Sequence, residues 1–382
     1  MRAYRASILH FRDDPGIEAA AGSFEHFDDG LLVVADGRVV RVGPAEPLLA
    51  ALPRETRVVD RRGALILPGF VDAHVHYAQT DVIASPGRNL LHWLEHYTFP
   101  EEARFAQRAH AAEVAEFFLG ELLRNGTTTA MVFGTVHRAS ADAFFEAAGR
   151  RGLRMVAGQV MMDRHCPEGF QDTPDGVRRD VRELVERWDG NGRLHYAITP
   201  RFAVTSSEAQ LRLVGELARA YPNAFVHSHL AENLDEVAWV RSLFPARRSY
   251  LDVYDHFGLL RERAVYAHCL HLDAPDRRRM AASGAAAAFC PTSNLFLGSG
   301  LFDIQAADAA GMPFAIGTDV GAGTSFSMLR TLAEAYKVAQ LQGQPFSALR
   351  GFYLATLGGA RALRLDQQIG SFVTGREADF IV

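Results

Sequence analysis

Lysine and cysteine are both scarce in this chain of 382 residues. Lys337 is the only lysine among 40 basic residues, and the net charge is −5, without any block of like charges. This balance gives no indication of a nucleic-acid partner or of binding to an acidic membrane surface. The cysteines, Cys166, Cys269 and Cys290, include no CxxC pair, which argues against a disulfide framework and against a thiolate zinc site.

Long apolar segments are missing as well. No apolar run is long enough to span a bilayer, and the N-terminal residues MRAYRASILHFRDD contain no continuous apolar stretch of the kind found in signal peptides. Together with the low cysteine content, these absences lead us to expect a cytoplasmic enzyme. Apolar residues still make up 48% of the sequence, which is enough for a large buried core.

Eight short apolar runs alternate with amphipathic helical segments from residue 69 onward. They cover residues 69–76, 127–134, 154–162, 194–201, 224–232, 264–270, 285–293 and 313–320. Buried parallel strands appear as continuous apolar runs, and strand–helix alternation predicts a parallel sheet. The count of eight favours an α/β protein with a (β/α)8 barrel over residues 68–359, and an open doubly wound sheet is the alternative.

The two ends of the chain read as β structure. Asp36-Gly37 lies between two β-rich runs and is a strong hairpin signal. The C-terminal residues GSFVTGREADFIV again suggest strands. We predict that residues 1–67 and 360–382 together form a small β-sandwich beside the barrel. The sequence does not explain why the chain ends at Val382, inside a predicted strand.

Polar residues fall at the C-terminal ends of the predicted strands, where barrel enzymes carry their chemistry. These residues are His74, His76, Arg201, His229, His268 and Asp319. Such groups are costly to bury in apolar strands unless they have partners. His74 and His76 are two residues apart and point to the same face of a strand. Three imidazoles and one carboxylate are a common ligand set for zinc or iron.

Two histidine pairs leave a choice of ligand. His227 and His229 share one face of a strand, and we take His229 as the ligand because it is nearer the strand end. His227 is then a supporting or core residue. In the same way, His268 lies within its strand and His271 lies beyond it. Any one of these histidines could be an ordinary core or surface residue, but their placement at matching strand ends indicates a metal site.

The motifs PGFVDAHVH, HSHLAE, AHCLHL and GTDVG resemble those of the amidohydrolase superfamily, in its mononuclear metal-dependent deaminase branch. The resemblance covers nearly the whole chain, although members usually continue beyond a position like Val382, which leaves the completeness of the β-sandwich open. The longer segments LLHWLEHYTFPEE, ITPRFA, CPTSNLFLGSGLF and GTDVGAGTSFSML are similar, more narrowly, to the guanine deaminase group.

This resemblance implies a catalytic site and a reaction. The implied ligands of one zinc ion are His74, His76, His229 and Asp319, although the same donors also suit iron. Glu232 and Asp319 would transfer protons, and His268 would hold the attacking water. Gln79, Arg201 and Phe202 fall where members contact guanine, which is converted to xanthine and ammonia. Members of the group are expected to be homodimers in purine metabolism.

The chemistry of guanine fits some of these residues directly. Guanine presents the acceptors O6 and N7 on one edge, and an arginine fork can bind both. Arg201 suits that role, with Phe202 stacked on the purine, but Arg201 could instead only pair with a carboxylate of the barrel. Trp93 either covers the bound ring or packs in the core, and we favour packing.

Two other functions stay open at this point. One is a related aminohydrolase or chlorohydrolase that acts on a pterin, an oxidised purine or a triazine. The other is a catalytically inactive barrel, which the complete ligand set disfavours. The signature of the cytidine-deaminase-type zinc enzymes, HxE with PCxxC, is absent, because Cys290-Pro291 has no second cysteine at the needed spacing.

Overall fold

The computed structural model describes residues 1–382 and contains a parallel barrel next to a smaller sheet. The strands are β1 Arg2–Phe11, β2 Phe24–Ala35, β3 Arg38–Pro44, β4 Arg57–Pro68, β5 Phe70–His76, β6 Thr127–Phe133, β7 Arg154–Ala157, β8 Val160–Met161, β9 His195–Pro200, β10 Phe225–Leu230, β11 Ala264–His268, β12 Ala286–Phe289, β13 Phe314–Ile316 and β14 Phe380–Ile381. The predicted α/β class and the barrel are confirmed.

The helices that connect the strands vary in length. They are α1 Ala45–Ala50, α2 Leu90–Trp93, α3 Phe99–Ala103, α4 Arg108–Arg124, α5 Arg138–Arg150, α6 Pro174–Trp188, α7 Glu208–Ala220, α8 Leu234–Leu243, α9 Tyr250–His256, α10 Ala274–Ser283, α11 Pro291–Phe296, α12 Ile304–Ala309, α13 Met328–Leu341, α14 Ala348–Leu354 and α15 Leu357–Ala362. None of them is both long and apolar enough to cross a bilayer.

The barrel strands pair in parallel in the order β5-β6-β7-β9-β10-β11-β12-β13, with β8 added beside β9. The residues after β13 complete the ring against β5. The amide of Asp319 donates to the carbonyl of His74 at 2.9 Å, and the amide of His76 donates to the carbonyl of Val320 at 2.7 Å. Each predicted run contains a strand of this barrel, and the run 154–162 contains both β7 and β8.

The barrel interior changes from apolar to polar along its axis, as β10 illustrates. Phe225, His227 and His229 alternate along this strand and share one face. Phe225 belongs to a buried apolar cluster that also contains Met131 of β6 and Val265 of β11. His227 contacts His74 in the middle of the barrel, and His229 lines the cavity at its mouth. The apolar floor thus supports the polar layer above it.

The smaller sheet has five strands in the order β14-β4-β1-β2-β3. Strands β1 and β4 are parallel, whereas the other pairs are antiparallel. The C-terminal segment also lies alongside β3, because the amide of Gly375 donates to the carbonyl of Val39 at 2.8 Å. Both ends of the chain contribute to this sheet, as the sequence predicted. The structure shows one five-stranded sheet where a β-sandwich was predicted, and the domain boundaries at residues 67 and 360 stay a prediction.

Candidate active site

Three imidazoles and one carboxylate face a common point at the mouth of the barrel. Nε2 of His76 lies 3.0 Å from Nε2 of His74 and 3.3 Å from Nε2 of His229. Oδ1 of Asp319 lies 3.2 Å from Nε2 of His74 and 3.3 Å from Nε2 of His76. The four side chains that the sequence suggested as ligands are therefore brought together, although they come from three separate parts of the chain.

These distances suit a single metal ion. Ligand atoms bound at about 2.0–2.1 Å to a tetrahedral zinc lie about 3.3 Å apart, which is close to the spacing seen here. Burial lowers the pKa of His74 to about 4, and it also lowers the pKa of His76 and His229. The imidazoles are thus neutral at physiological pH, the form in which histidine binds metals.

The carboxylate of the group is held in its ionised form. Burial raises the pKa of Asp319, but the contacts with His74 and His76 outweigh burial and keep this pKa well below its usual range. Neutral imidazoles around an ionised carboxylate form a donor set with one negative charge. The residues present therefore fit a divalent cation.

Asp72 and Thr318, two buried residues that the sequence analysis did not single out, support this group. Oδ1 of Asp72 accepts hydrogen bonds from the amides of His74 (3.2 Å) and Thr318 (3.0 Å), and the Thr318 hydroxyl donates to Oδ2. Asp72 therefore connects β5 to the residues before Asp319. The only signal for it was an acid within the apolar run GFVDAHVH. His227, expected to be a supporting or core residue, has its Nε2 2.7 Å from Nδ1 of His74.

His268 and Glu232 form a buried pair beside the metal ligands. Nε2 of His268 lies 3.2 Å from Oε2 of Glu232 and 3.8 Å from Oδ2 of Asp319. Nδ1 of His268 lies 2.8 Å from Oδ1 of Asn294, and the Ser299 hydroxyl donates to Oε1 of Glu232 at 3.1 Å. Burial is the main cause that raises the pKa of Glu232 to about 7. This carboxyl can therefore exchange a proton near neutral pH.

The backbone at the strand ends is strained around these groups. Ala231, His268, Cys269 and Asp319 have positive φ angles of 49°, 70°, 55° and 51°. Residues other than glycine rarely adopt this left-handed region, and such residues cluster at functional sites. The turns after β10, β11 and β13 thus direct Glu232, His268 and Asp319 towards one centre.

A cavity opens next to the metal ligands. Its lining contains Gln79, Trp93, Arg201, Phe202, Glu232 and His268, which are all residues with predicted roles, and it also contains Leu90, Leu94, Glu236, Leu297 and Ala322. Nε1 of Trp93 donates to the Ser85 carbonyl at 2.9 Å. The indole is therefore packed into the wall while one part of it reaches the cavity. His271 lies outside the lining and bonds to the Ser299 carbonyl.

A carboxylate of α3 binds Arg201 at the edge of the cavity. Nη1 of Arg201 donates to Oε2 of Glu102 at 2.7 Å, and Nη2 donates to Oε1 at 3.0 Å. Oε1 of Glu102 also accepts from the side-chain nitrogen Nε2 of Gln79 at 3.2 Å. The alternative role considered for Arg201, pairing with a carboxylate of the barrel, is thus realised. It does not exclude substrate contact, because Arg201 also lines the cavity.

A second buried acid fixes the turn that carries Glu232. Oε2 of Glu236 accepts from the amides of Glu232 (2.9 Å) and Asn233 (3.2 Å), which closes the N-terminus of α8. Oε1 of Glu236 accepts from the Tyr250 hydroxyl at 2.7 Å. The amide of Ala203, next to Phe202, donates to the same hydroxyl at 3.2 Å. Two walls of the cavity are therefore connected through Tyr250.

Comparisons with known proteins assign the chain to a family. Residues 65–382 match the amidohydrolase family. A guanine deaminase from Escherichia coli is 50% identical over 385 residues, which cover 100% of this chain and 87% of the relative. The structure of E. coli guanine deaminase superposes with a TM-score of 0.97 and covers 100% of this chain and 89% of that one.

Two more distant structures contain a ligand or a metal. A guanine deaminase from C. acetobutylicum with guanine in its active site is 29% identical, with a TM-score of 0.90, and the match covers 99% of this chain and 90% of that one. An adenosine deaminase from Xanthomonas campestris with bound zinc is 27% identical, with a TM-score of 0.86, covering 99% and 83%. The chain belongs to the amidohydrolase family and, within it, groups with the guanine deaminases.

Proposed function

We propose that this protein hydrolyses guanine to xanthine and ammonia. The observation that carries the proposal is the composition of one cavity: the metal-ligand group, the Glu232–His268 pair and the Arg201 guanidinium all border it. The 50% identity to a guanine deaminase over the whole chain supports the same substrate. In the overall reaction, water supplies the oxygen that replaces the amine at C2, and ammonia leaves.

We infer that one zinc ion per subunit is held by His74, His76, His229 and Asp319, with iron as the alternative for the same donors. When bound, such a metal would lower the pKa of a coordinated water to about 7 and so would supply hydroxide at neutral pH. The protein's own part is to keep the three imidazoles neutral and the carboxylate ionised, which burial and mutual contact achieve.

The remaining steps are proton transfers by the protein. Asp319 accepts a proton from the attacking water, and His268 orients this water through Nε2. Glu232 protonates N3 of the purine as C2 becomes tetrahedral, then accepts the proton of the new C2 hydroxyl and passes it to the amine, which leaves as ammonia. The proton held by Asp319 then restores the protonated form of Glu232. The raised pKa of Glu232 supports this role, because a buried carboxyl whose pKa is about 7 can both donate and accept a proton at neutral pH.

Recognition of the purine is assigned to four residues of the lining. Arg201 binds O6 and N7, Gln79 contributes its side-chain amide, and Phe202 stacks on the ring. Trp93 limits the size of the cavity and is mainly a wall residue. Each of these side chains is at most 5% exposed, so water is largely removed from the polar contacts, which strengthens them.

Turnover of guanine by purified, zinc-loaded protein tests the proposal. We expect xanthine and one equivalent of ammonia per guanine consumed, measured by the change in ultraviolet absorbance and by an ammonia assay. A pterin, 8-oxoguanine and an aminotriazine serve as competing substrates. A zinc-loaded protein that leaves guanine unchanged but converts one of these rings would refute the proposal.

The assembly and location of the protein also belong to this proposal. We infer a homodimer in the cytoplasm, because the motifs resemble those of the guanine deaminase group and the chain is poor in cysteine. Light scattering at micromolar concentration measures the oligomeric state, and fractionation of cells measures the location.

A further inference from the structure

Arg201 has two hydrogen-bonding edges, and the protein occupies only one of them. Glu102 accepts from both terminal nitrogens, Nη1 and Nη2, in an end-on bidentate pair. Nε makes no hydrogen bond within the protein, and the side chain lines the cavity. A guanidinium bound in this way keeps the edge formed by Nε and Nη2 for another planar pair of acceptors.

Glu102 is built into the fold at this position. Its side chain is 0% exposed, and Arg201 is 2% exposed, so solvent cannot replace either partner. The ring of Phe99, on the same helix as Glu102, lies 5.1 Å from Cζ of Arg201. The guanidinium is therefore held on its end by a carboxylate and on one face by an aromatic ring, which leaves it little rotational freedom.

The same carboxylate reaches a second residue of the cavity. Oε1 of Glu102 accepts from Nε2 of Gln79, and this nitrogen lies 3.0 Å from Nδ1 of His76. Glu102 thus joins two side chains of the cavity that come from the segments following β5 and β9. No part of Glu102 lines the cavity itself, so it can act only through these neighbours.

We propose that Glu102 is a positioning residue that determines recognition of the purine edge. It holds the end of the Arg201 guanidinium so that Nε and Nη2 face O6 and N7 of the substrate, and it compensates the buried positive charge. The inference rests on the proposed guanine deamination and adds to it the residue that aligns Arg201.

The test is a mutant cycle with Glu102→Gln, Arg201→Met and the double variant. The amide of Glu102→Gln keeps the shape but offers only one acceptor, so Arg201 loses its fixed orientation. We expect KM for guanine to rise about 10- to 100-fold, with kcat within about threefold of wild type and with unchanged zinc content. The double variant should be no worse than Arg201→Met alone, because Glu102 acts through Arg201.

Glu101→Gln is the matched control. Glu101 precedes Glu102 in the same helix, is 8% exposed and pairs with Arg104 at 2.7 Å, but it does not contact Arg201. The KM of the Glu101→Gln variant for guanine should stay at the wild-type value. If Glu102→Gln does not fold, Glu102→Asp replaces it, since the shorter carboxylate also withdraws from Arg201 and should raise KM in the same way.

Three outcomes would overturn the inference. They are an unchanged KM in the Glu102 variant, a loss of kcat and zinc without a selective rise in KM, and additive effects in the double variant. The last two would mean that Glu102 only stabilises the fold or acts separately from Arg201. A wild-type protein that does not deaminate guanine would instead refute the proposed function, so the two failures are distinguishable.

Discussion

Nε2 of His268 and Oε2 of Glu232 lie 3.2 Å apart at the buried mouth of the barrel. The other nitrogen of His268 faces Oδ1 of Asn294 at 2.8 Å, and a carbonyl oxygen can only accept. Nδ1 therefore carries the proton, and Nε2 is the nitrogen that shares or releases a proton towards Glu232. Burial lowers the pKa of His268, but the charges of Glu232 and Asp319 outweigh burial and raise it.

Replacing the proposed proton donor tests this relationship. Glu232→Gln keeps the shape of the side chain but cannot transfer a proton, so we expect kcat for guanine to fall about 10²- to 10⁴-fold. Zinc content should not change, because Glu232 is not among the proposed ligands. Glu168→Gln, at an exposed site, is the control. A Glu232→Gln variant with more than a tenth of the wild-type kcat would contradict the assigned role.

His227 should control how tightly the metal is held. If His74 binds metal through Nε2, its Nδ1–H donates to Nε2 of His227 at 2.7 Å. His227→Leu removes this acceptor, and losses of such outer partners typically reduce metal affinity about 10- to 100-fold. His227→Gln retains an acceptor and should lose less. Competition with a chromogenic chelator measures both variants, and equal affinity of the Leu variant and wild type would disprove the effect.

Asp172 should make stability depend on pH. Its Oδ2 accepts from the amide of Met162 at 2.8 Å, and burial raises its pKa to about 7. In the folded protein the carboxyl keeps its proton up to that pH, whereas in the unfolded chain its pKa is about 3.9. The unfolded state therefore binds fewer protons between about pH 4 and 7, and the stabilisation from this group is lost as pH rises.

Asp172→Asn removes this titration. The free energy of unfolding of the variant relative to wild type should therefore increase between pH 5 and pH 8, as measured by urea denaturation at both values. Asp28→Asn, whose side chain is 98% exposed in the wild type, is the control and should show no such trend. An equal difference at both pH values for Asp172→Asn would contradict the prediction.

Two glycine substitutions should change stability in opposite directions. A Cβ at Gly158, between β7 and β8, would lie 1.8 Å from the Ala197 carbonyl oxygen, so Gly158→Ala forces the strands apart. We expect the free energy of unfolding to fall by about 1–3 kcal/mol or more.

Gly120 lies inside α4, where the nearest atom to an added Cβ is Nη1 of Arg124 at 3.6 Å. Gly120→Ala should therefore stabilise the helix by about 0.5–1 kcal/mol. Denaturant unfolding of both variants against wild type measures the two values. A Gly158→Ala protein as stable as wild type would show that the backbone near Ala197 can move without cost.

The sequence predicted the barrel because its strands are buried on both faces. The apolar run GFVDAHVH became β5, which is fully buried, and the Asp36-Gly37 signal became the turn between β2 and β3. The run 154–162 was less predictable. It contains a break at Gly158, which the close approach to Ala197 requires, and no local pattern reveals such a contact between strands.

The amino-acid sequence by itself determined which strand ends carry chemistry. Polar residues such as His74, His229 and Asp319 stand out against apolar strands, and a parallel barrel brings all such ends to one rim. Only the tertiary structure decided which acids support them. Glu102, Glu236 and Asp72 look like ordinary helix or strand acids, and their roles come from partners brought close by folding, such as Arg201, 99 positions away from Glu102.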